Sequence, residues 1–463
     1  MYKKIFTNSF GILISRILGF IRDLLTASIL GASIYSDIFF VAFKLPNLFR
    51  RIFAEGAFVQ SFLPSFSSAK AKYAFAAAIF WRFFLAILAL SILVTLFSPF
   101  FTKLIAFGFD DRLIHLAAPY VAINFYYLDF IFAVTFLAAL LQYKEHFATT
   151  AFSTALLNLS LIVALLLFQK SEKESIVLAL SIAVLVGGAL QLLMHLWMSW
   201  KFKIVHYLSA GFLKQANSFD LHRFFSNFFP AILGNSTAQV SAFLDTWLAS
   251  FLATGAISYL YYANRVFQLP LALFAIATAT ALFPSISKAL AAGDEERALN
   301  QIKRSFWFLL TLLSLSSLGG IILSKEIVWL LFERGSFTHN DTLQTATILQ
   351  MYLVGLLFYG IGKLFLLWLY ATHKQKVAAK IASISLGFNI VLSLLLIYPL
   401  QAAGLALASS MAGGIQLLLL IRSFGTKRFL SLLKDRFVIY VVLILAMETF
   451  ILIYIKRLLD AYI

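Results

Sequence analysis

The chain has 463 residues, of which 62% are hydrophobic and only 12% are charged, and its formal net charge is +17. Soluble domains contain about half apolar and about a quarter charged residues, so this composition excludes a soluble domain and indicates a polytopic membrane protein. Cysteine is absent, which excludes disulfides, thiol catalysis and cysteine metal sites.

The N-terminus is basic, and Arg16 and Arg22 interrupt the apolar stretch that follows it. A cleaved signal peptide needs an uninterrupted apolar region, so the sequence predicts an uncleaved first helix. A membrane span needs about 20 mostly apolar residues, which predicts an all-α fold. Thirteen spans meet this criterion: 6–30, 35–66, 76–105, 117–141, 147–168, 176–200, 221–251, 256–290, 302–323, 342–371, 376–398, 401–422 and 437–456.

The second predicted helix contains the charged segment FKLPNLFRRIFAEGAF, residues 43–58. At 100° per residue, four charged residues lie within about 40° of one another on one helix face: Asp37, Lys44, Arg51 and Glu55. Residues 44–55 could instead form a cytoplasmic loop. The remaining stretch to residue 66 would then be too short to span the membrane, which favours one long helix.

Charges in hydrocarbon cost roughly 3 kcal/mol each and persist where they face protein or water, so these helices are predicted to line a hydrated cavity. Basic residues outnumber acidic ones in the first two helices: Arg16, Arg22, Lys44, Arg50 and Arg51 against Asp23, Asp37 and Glu55. Because arginine binds phosphate oxygens bidentately, a phosphate or pyrophosphate ligand is expected. Alternatively, the arginines hold helices together through internal ion pairs, and some can do both.

The seventh predicted helix carries an acid, Asp245, that has three interpretations. It can bind a coupling cation together with Asn389 or nearby serines, pair with Arg265 of the eighth helix, or be a buried acid satisfied locally. The seven histidines lack metal-binding spacing and the chain has no P-loop, so no metal and no cofactor is predicted. A coupling cation or the membrane potential would then supply the energy.

An internal repeat relates residues 27–69 to residues 249–289, with Pro46 matching Pro270 and Pro64 matching Pro284. Six predicted helices separate the copies, so both copies face the same way across the membrane. This predicts two parallel six-helix lobes with the cationic cavity between them. Their boundaries are 1–208 and 217–424, followed by an appended helix in 425–463.

The loops predict the orientation. With the N-terminus in the cytoplasm, the inside segments hold 21 Lys and Arg residues and the outside segments hold seven. Cytoplasmic loops carry such an excess, so the N-terminus is predicted to lie inside. Most of the positive charge is thereby a topology signal, which argues against a nucleic-acid partner.

Three segments carry a family resemblance: SRILGFIRD (15–23), SDIFFVAFKLPNLFRRIFAEGAF (36–58) and YYANR (261–265). They resemble the MviN/MurJ family of murein-precursor (lipid II) flippases, within a superfamily of two-lobe exporters, over about residues 5 to 424. The resemblance implies a transporter, not an enzyme, that flips the undecaprenyl-pyrophosphate-linked precursor to the outer leaflet by alternating access. It implies substrate binding by Arg16, Arg22, Arg50, Arg51 and Arg265, supported by the acids Asp37 and Glu55.

The chain departs from the family pattern at two places. Asn264 stands where the family often has Asp, and thirteen helices are predicted where the family usually has fourteen. Since the last two family helices normally shape a groove for the lipid tail, the handling of the tail is an open question here.

Competing functions are weaker on sequence grounds. An exporter of another lipid-linked oligosaccharide, of the O-antigen type, would also need a cationic cavity and stays as the alternative. A drug exporter should carry intramembrane carboxylates, and a membrane enzyme acting on polyprenyl phosphates would need a base or nucleophile beside the arginines. The resemblance further implies a monomer in the bacterial inner membrane that associates with the cell-wall synthesis machinery.

Overall fold

The computed structural model describes residues 2–51, 57–204, 217–434 and 437–459. All regular structure in these residues is helical. The helices are α1 Tyr2–Leu30, α2 Ile34–Phe49, α3 Val59–Ser68, α4 Lys72–Leu96, α5 Ser98–Ile105, α6 Asp111–Phe125, α7 Tyr127–Tyr143, α8 Ala148–Phe168, α9 Lys173–Lys201, α10 Ser218–Ala249, α11 Ala256–Pro270, α12 Ala277–Ala291, α13 Glu295–Ile322, α14 Ser324–Phe332, α15 His339–Val354, α16 Leu356–Ala371, α17 Gln375–Phe424, α18 Thr426–Leu433 and α19 Phe437–Leu459.

Each of the thirteen predicted spans coincides with helical structure. Within the described ranges, nine helical segments are long and apolar enough to cross a membrane. They contain ten of the predicted spans because α17 includes two of them. The other three spans correspond to α1, to α2 with α3, and to α10. The prediction of an all-α polytopic membrane protein is confirmed.

Helix α17 is a hairpin of two antiparallel segments with almost no loop between them. The chain reverses at Gln401, which has φ 49° and ψ −132°. Two hydrogen bonds tie the segments together: the Ser385 hydroxyl donates to the Ala412 carbonyl at 2.9 Å, and the Asn389 amide donates to the Ser409 hydroxyl at 3.1 Å. Ser385 and Asn389 therefore each find a hydrogen-bond acceptor in the other segment of the hairpin.

Both repeat copies change from α- to π-helical winding after their first proline. In the second copy, a π-helix over Leu271–Ile276 follows Pro270. In the first copy, residues 50–51 and 57–58 are π-helical and follow Pro46. Proline clashes with the carbonyl one turn earlier and donates no hydrogen bond, and a wider turn accommodates that defect. The positions where the prolines predict bends thus show a local change of winding.

The chain divides into two compact units, Met1–Gly255 and Ala256–Ile463. Unit 1 includes α10, which packs against α2, α3, α4 and α5. The two lobes predicted from the repeat, 1–208 and 217–424 with an appended 425–463, are defined by sequence similarity and not by packing, so that division stays a prediction.

Unit 1 contains a buried cluster of phenylalanines where α3, α4, α7 and α10 meet. Phe58 contacts rings from three other helices: Phe83 at 5.9 Å, Phe132 at 5.7 Å and Phe228 at 6.4 Å between centroids. Edge-to-face aromatic pairs of this kind contribute about 0.5–1.5 kcal/mol beyond their buried area. The cluster fixes one end of α10 against the helices of unit 1.

In unit 2, the last helix runs beside α13 in the same direction. At one end the rings of Trp307 and Phe437 are 6.2 Å apart, and at the other the Lys456 ammonium donates to the Ile322 carbonyl at 3.1 Å. The Trp307 indole N–H donates to the Leu432 carbonyl at 3.2 Å, which also ties the short helix α18 to α13.

Candidate functional site

Arg22 fastens α1 to α8. Its guanidinium donates to Asp23 Oδ1 at 2.6 Å and to Asn158 Oδ1 at 3.0 Å, and only 8% of the residue is exposed. The Asn158 amide in turn donates to the Ser15 carbonyl at 3.0 Å. Among the alternatives for this residue, the geometry matches the structural role, because its guanidinium is already engaged by protein groups.

Replacing Asn158 with alanine tests this assignment. The change leaves a buried guanidinium without one acceptor, at an expected cost of about 1–3 kcal/mol. We therefore expect a lower thermal unfolding midpoint in detergent and less protein in the membrane. Asn340, which is exposed at the start of α15, is the matched control, and Asn340→Ala should leave the midpoint unchanged. An unaltered unfolding midpoint for Asn158→Ala would show that the hydrogen bond between Arg22 and Asn158 adds no stability.

The other predicted basic residues of unit 1 are more accessible than Arg22. Arg16 and Arg51 are exposed and Arg50 is half-buried. Arg50 donates to Asn47 Oδ1 at 2.9 Å, one turn earlier on α2. Arg51 follows Arg50 on the π-helical turn, and Glu55, its predicted partner, lies outside the described residues. The structure therefore leaves Arg16 and Arg51 accessible to a ligand.

Lys44 of α2 interacts electrostatically with Asp245 of α10 and with Arg51. The Lys44 ammonium supplies Asp245 with a positive charge from inside unit 1. Asn389, the other residue predicted for a cation, belongs to unit 2 and donates to Ser409. Binding of a cation by Asp245 and its pairing with Arg265 both stay predictions, because these residues lie in different units.

Asp37 is buried and fixes the loop that follows α10. Its Oδ2 accepts a hydrogen bond from the Gly255 N–H at 2.7 Å, and Gly255 has φ 92°, which favours glycine. In the same region the Gly108 N–H donates to the Ser250 hydroxyl at 2.9 Å. We call these two contacts the loop clamp; both of its loops are on the predicted outer side.

The loop clamp is extended by close packing. A Cβ at Gly108 would overlap backbone atoms of Ser250 and Phe251, so only glycine allows this approach. The Phe107 ring lies 6.1 Å from Phe251 and 5.9 Å from Trp247 between centroids. Asp37 thus holds the loop after α10 through one of its carboxylate oxygens.

Arg265 of unit 2 lies against an aromatic side chain of its own helix. Its guanidinium donates to the Tyr261 hydroxyl at 2.8 Å and lies 5.0 Å from the centre of that ring. Asn264, which replaces the common family Asp, accepts a hydrogen bond from Gln268. Arg265 therefore has a neutral local partner, which leaves its positive charge uncompensated within that contact.

Sequence reasoning missed Asn158, Gly108 and Gly255. Asn158 lies 136 residues from Arg22, and the two glycines act through backbone N–H groups, which carry no side-chain signal. Asn158 could have been found from its position in the apolar run ALLNLSLIVALLLF of α8. An unpaired amide in a membrane helix is costly, so a polar residue there predicts a hydrogen-bond partner on another helix.

The comparisons with known proteins agree with one another. The family model described as lipid II flippase MurJ matches residues 26–463. A probable lipid II flippase MurJ of Helicobacter pylori (strain ATCC 700392 / 26695) is 50% identical over 422 residues, covering 88% of this chain and 92% of the relative. The corresponding protein of Buchnera aphidicola subsp. Acyrthosiphon pisum is 35% identical, covering 96% and 88%.

Solved structures give the same answer for the fold. A lipid II flippase MurJ in an inward closed conformation matches with a TM-score of 0.80 and 29% identity, covering 97% of each chain. An inward-facing multidrug resistance MATE transporter of the MOP superfamily matches with a TM-score of 0.70 and 13% identity, covering 94% of this chain and 99% of the other. The second likeness shows the fold alone.

Proposed function

Because this chain belongs to the MurJ family of lipid II flippases, we propose that it moves lipid II from the inner to the outer leaflet by alternating access. It is a multi-pass membrane protein and a transporter, not an enzyme. The observation that carries the function is the 50% identity to the Helicobacter relative over most of both chains. The inner membrane and a cytoplasmic N-terminus belong to the same proposal.

The accessible arginines of unit 1 are the proposed ligands of the pyrophosphate. Arg16 and Arg51 are exposed, and Arg50 lies beside Arg51 on the π-helical turn. A planar guanidinium binds two phosphate oxygens at once, so these residues can hold the headgroup while the lipid tail stays in the bilayer. Arg22 is proposed to position α1 rather than touch the substrate. A contribution of Arg265 and Glu55 to substrate binding stays a prediction.

Depletion of the protein in its native cell tests the function. Lipid extracts should then accumulate lipid II, and outer-leaflet lipid II should fall, because the precursor is made on the cytoplasmic side. Accumulation of a different lipid-linked oligosaccharide, with normal lipid II, would instead support an exporter of the O-antigen type. Restoration by the wild-type gene controls for secondary effects of depletion.

The proposed orientation places the C-terminus outside. Thirteen membrane spans are an odd number of crossings. If the N-terminus is cytoplasmic, Ile463 must therefore lie on the outer side. A periplasmically active phosphatase fused there should be active, and a reporter that matures only in the cytoplasm should not. The same pair of reporters fused after Lys374, in a predicted inside loop, should give the opposite pattern. Cytoplasmic activity after Ile463 would mean that the number of spans is even.

Energy for return of the empty carrier is proposed to come from the membrane potential or from a coupling cation. The potential is worth about 2.3 kcal/mol per charge per 100 mV, which favours moving a cationic site toward the cytoplasm. The electrostatic interaction between Lys44 and Asp245 supports an internal pair over a cation at this position. No other cofactor is proposed.

A charge-reversal cycle separates the two roles of Asp245. If Lys44 and Asp245 pair, Lys44→Asp combined with Asp245→Lys should recover more transport than either single change, with a coupling of about 0.5–3 kcal/mol. If Asp245 binds a cation, the double variant should stay inactive, and Asp245→Asn should abolish any stimulation of transport by ions. The readout is transport in proteoliposomes with and without an ion gradient.

The proposed partners are lipid II and the surrounding membrane lipids. The protein is proposed to act as a monomer, with association to the cell-wall synthesis machinery as a further expectation. Size-exclusion chromatography with light scattering on the purified protein measures its oligomeric state. Co-purification from cross-linked membranes measures its association with the cell-wall synthesis machinery.

A further inference from the structure

The N-terminal half of α11 is held on one side by the turn between α14 and α15. Tyr262 of α11 is fully buried, and its ring lies 5.2 Å from Phe332 and 5.7 Å from Phe337 between centroids. One turn earlier, the Tyr259 hydroxyl donates to Asp341 Oδ1 at 2.8 Å. Apolar rings can slide over one another, whereas a hydrogen bond to a carboxylate is strong and directional. The contact with Asp341 is therefore the one that can fix the rotation of α11 about its axis.

Asp341 is itself fixed by the start of α15. The residue is 7% exposed, so water has little access to its carboxylate. Its Oδ2 accepts the Thr338 N–H at 2.8 Å, and the Thr338 hydroxyl accepts the Asp341 N–H at 3.3 Å, which together form a capping box. The Thr342 hydroxyl also donates to Glu333 Oε2 at 2.6 Å and braces the same turn. Asp341 therefore presents its Oδ1 to α11 from a rigid support.

Arg265 lies on the other side of α11. At 100° per residue it lies about 120° around the helix from Tyr259 and about 160° from Phe267. The Phe267 ring packs on Tyr352 of α15 at 5.5 Å between centroids, so the packed side of α11 and the Arg265 side are nearly opposite. Because side chains reach roughly 5 Å from the helix axis, a rotation of about 10° moves their ends by about 1 Å. The rotation that Asp341 fixes thus decides where the guanidinium lies.

We propose that Asp341 is a positioning residue for Arg265. Through Tyr259 it sets the rotation of α11, so that the Arg265 guanidinium meets the pyrophosphate of the transported lipid. Groups that bind a ligand need placement within about 0.5 Å, which the second layer of residues supplies. The inference rests on the proposed function and on the predicted contact of Arg265 with the headgroup. The competing role for Asp341 is that of a helix cap alone, which would act on α15 and not on α11.

Binding of the headgroup is the measurement, because it stays quantitative in variants that no longer transport. The probe is lipid II with a shortened, water-soluble prenyl chain, titrated calorimetrically into the purified full-length protein in detergent. Tyr259→Phe removes the hydroxyl and leaves the capping box intact. We expect it to raise the Kd about threefold to tenfold. The thermal unfolding midpoint of each variant is recorded beside its Kd.

Three further variants separate positioning from capping. Asp341→Ala should raise the Kd as much as Tyr259→Phe does, and if it fails to fold, Tyr259→Phe carries the test. Asp341→Asn should bind like the wild type, because an amide can still bond both the Tyr259 hydroxyl and the Thr338 N–H. Thr338→Val is the matched control: it removes the cap hydroxyl and keeps the bond between Tyr259 and Asp341, so its Kd should not change.

A double-mutant cycle with Arg265→Gln shows whether the effect passes through the guanidinium. In the Arg265→Gln background, Tyr259→Phe should raise the Kd no further, since the group that it positions is absent. A general loosening of unit 2 would instead weaken binding by the same factor in both backgrounds. The cycle therefore gives a result that a merely structural role for Asp341 would not produce.

The outcomes that would overturn the inference are distinct. Equal weakening by Tyr259→Phe in both backgrounds, or an unchanged Kd for Tyr259→Phe, would contradict the positioning role and leave the proposed function standing. An unchanged Kd for Arg265→Gln would remove Arg265 from the headgroup site, and the role of Asp341 with it. Wild-type protein that does not bind the lipid II probe would contradict the proposed function and this inference together.

Discussion

Cross-linking Phe107→Cys to Phe251→Cys is expected to abolish the outward movement of lipid II completely, and reduction should restore it. The two rings lie 6.1 Å apart between centroids and are 51% and 49% exposed, so an external thiol reagent can reach both positions. The link would make the loop clamp permanent. If the outer side must open during each transport cycle, a covalent cross-link there stops transport. The few kcal/mol that drive a conformational change are too little to break a covalent bond.

A second cross-linked pair provides the matched control. Phe10 and Phe152 lie 6.4 Å apart and join α1 to α8, which Arg22 and Asn158 already fasten. Cross-linking Phe10→Cys to Phe152→Cys should therefore leave transport near the wild-type rate. Each single-cysteine variant should also transport normally under oxidising conditions. Full transport with the 107–251 link complete would exclude opening at the loop clamp as a step of the cycle.

Arg51→Ala is expected to lower lipid II transport by about ten- to a hundredfold. Hydrogen bonds to a charged group contribute about 1.5–3 kcal/mol each, and Arg51 is exposed on the π-helical turn that begins at Arg50. Arg51→Lys keeps the charge and loses the planar fork, so it should give an intermediate rate. The measurement is complementation of depleted cells, together with transport in proteoliposomes at matched protein levels.

Arg112 supplies the control for general loss of positive charge. It is exposed near the start of α6 and belongs to none of the predicted sites. Arg112→Ala should leave transport unchanged. Normal transport by Arg51→Ala, at normal protein levels, would remove this residue from the proposed headgroup site and leave Arg16 and Arg50 to carry it.

Hydropathy predicted the positions of the long apolar helices because the energetic demand is simple: a crossing needs about 20 apolar residues. The interruptions inside helices were harder to predict. The α-helix is interrupted between α6 and α7 at Tyr126, which keeps right-handed helical angles and is neither glycine nor proline. The reversal at Gln401 follows Pro399 by two residues, and it lies between two spans that the sequence did separate.

The candidate site was predictable by residue type but not by partner. The sequence counted Asp23 only among the acids of the first two helices, and in the structure its carboxylate accepts from the adjacent Arg22. A long guanidinium side chain can turn back to its neighbour, which angular spacing along the helix axis does not capture. Asp37 was grouped with Lys44 and Arg51, but its carboxylate binds a backbone N–H of a loop 218 residues away.

The hairpin of α17 has a consequence for how the protein is made. Its two segments meet at Gln401 with almost no loop, and the Asn389–Ser409 and Ser385–Ala412 bonds join them. If the segments left the translocon one at a time, these polar groups would face lipid unpaired. Release as a single pair lets them bond before they meet lipid, and interhelical bonds of this kind contribute about 0.6 to 2 kcal/mol. Biogenesis of this part of the protein is therefore expected to proceed by co-insertion, and a chain truncated near Gln401 should be retained at the translocon.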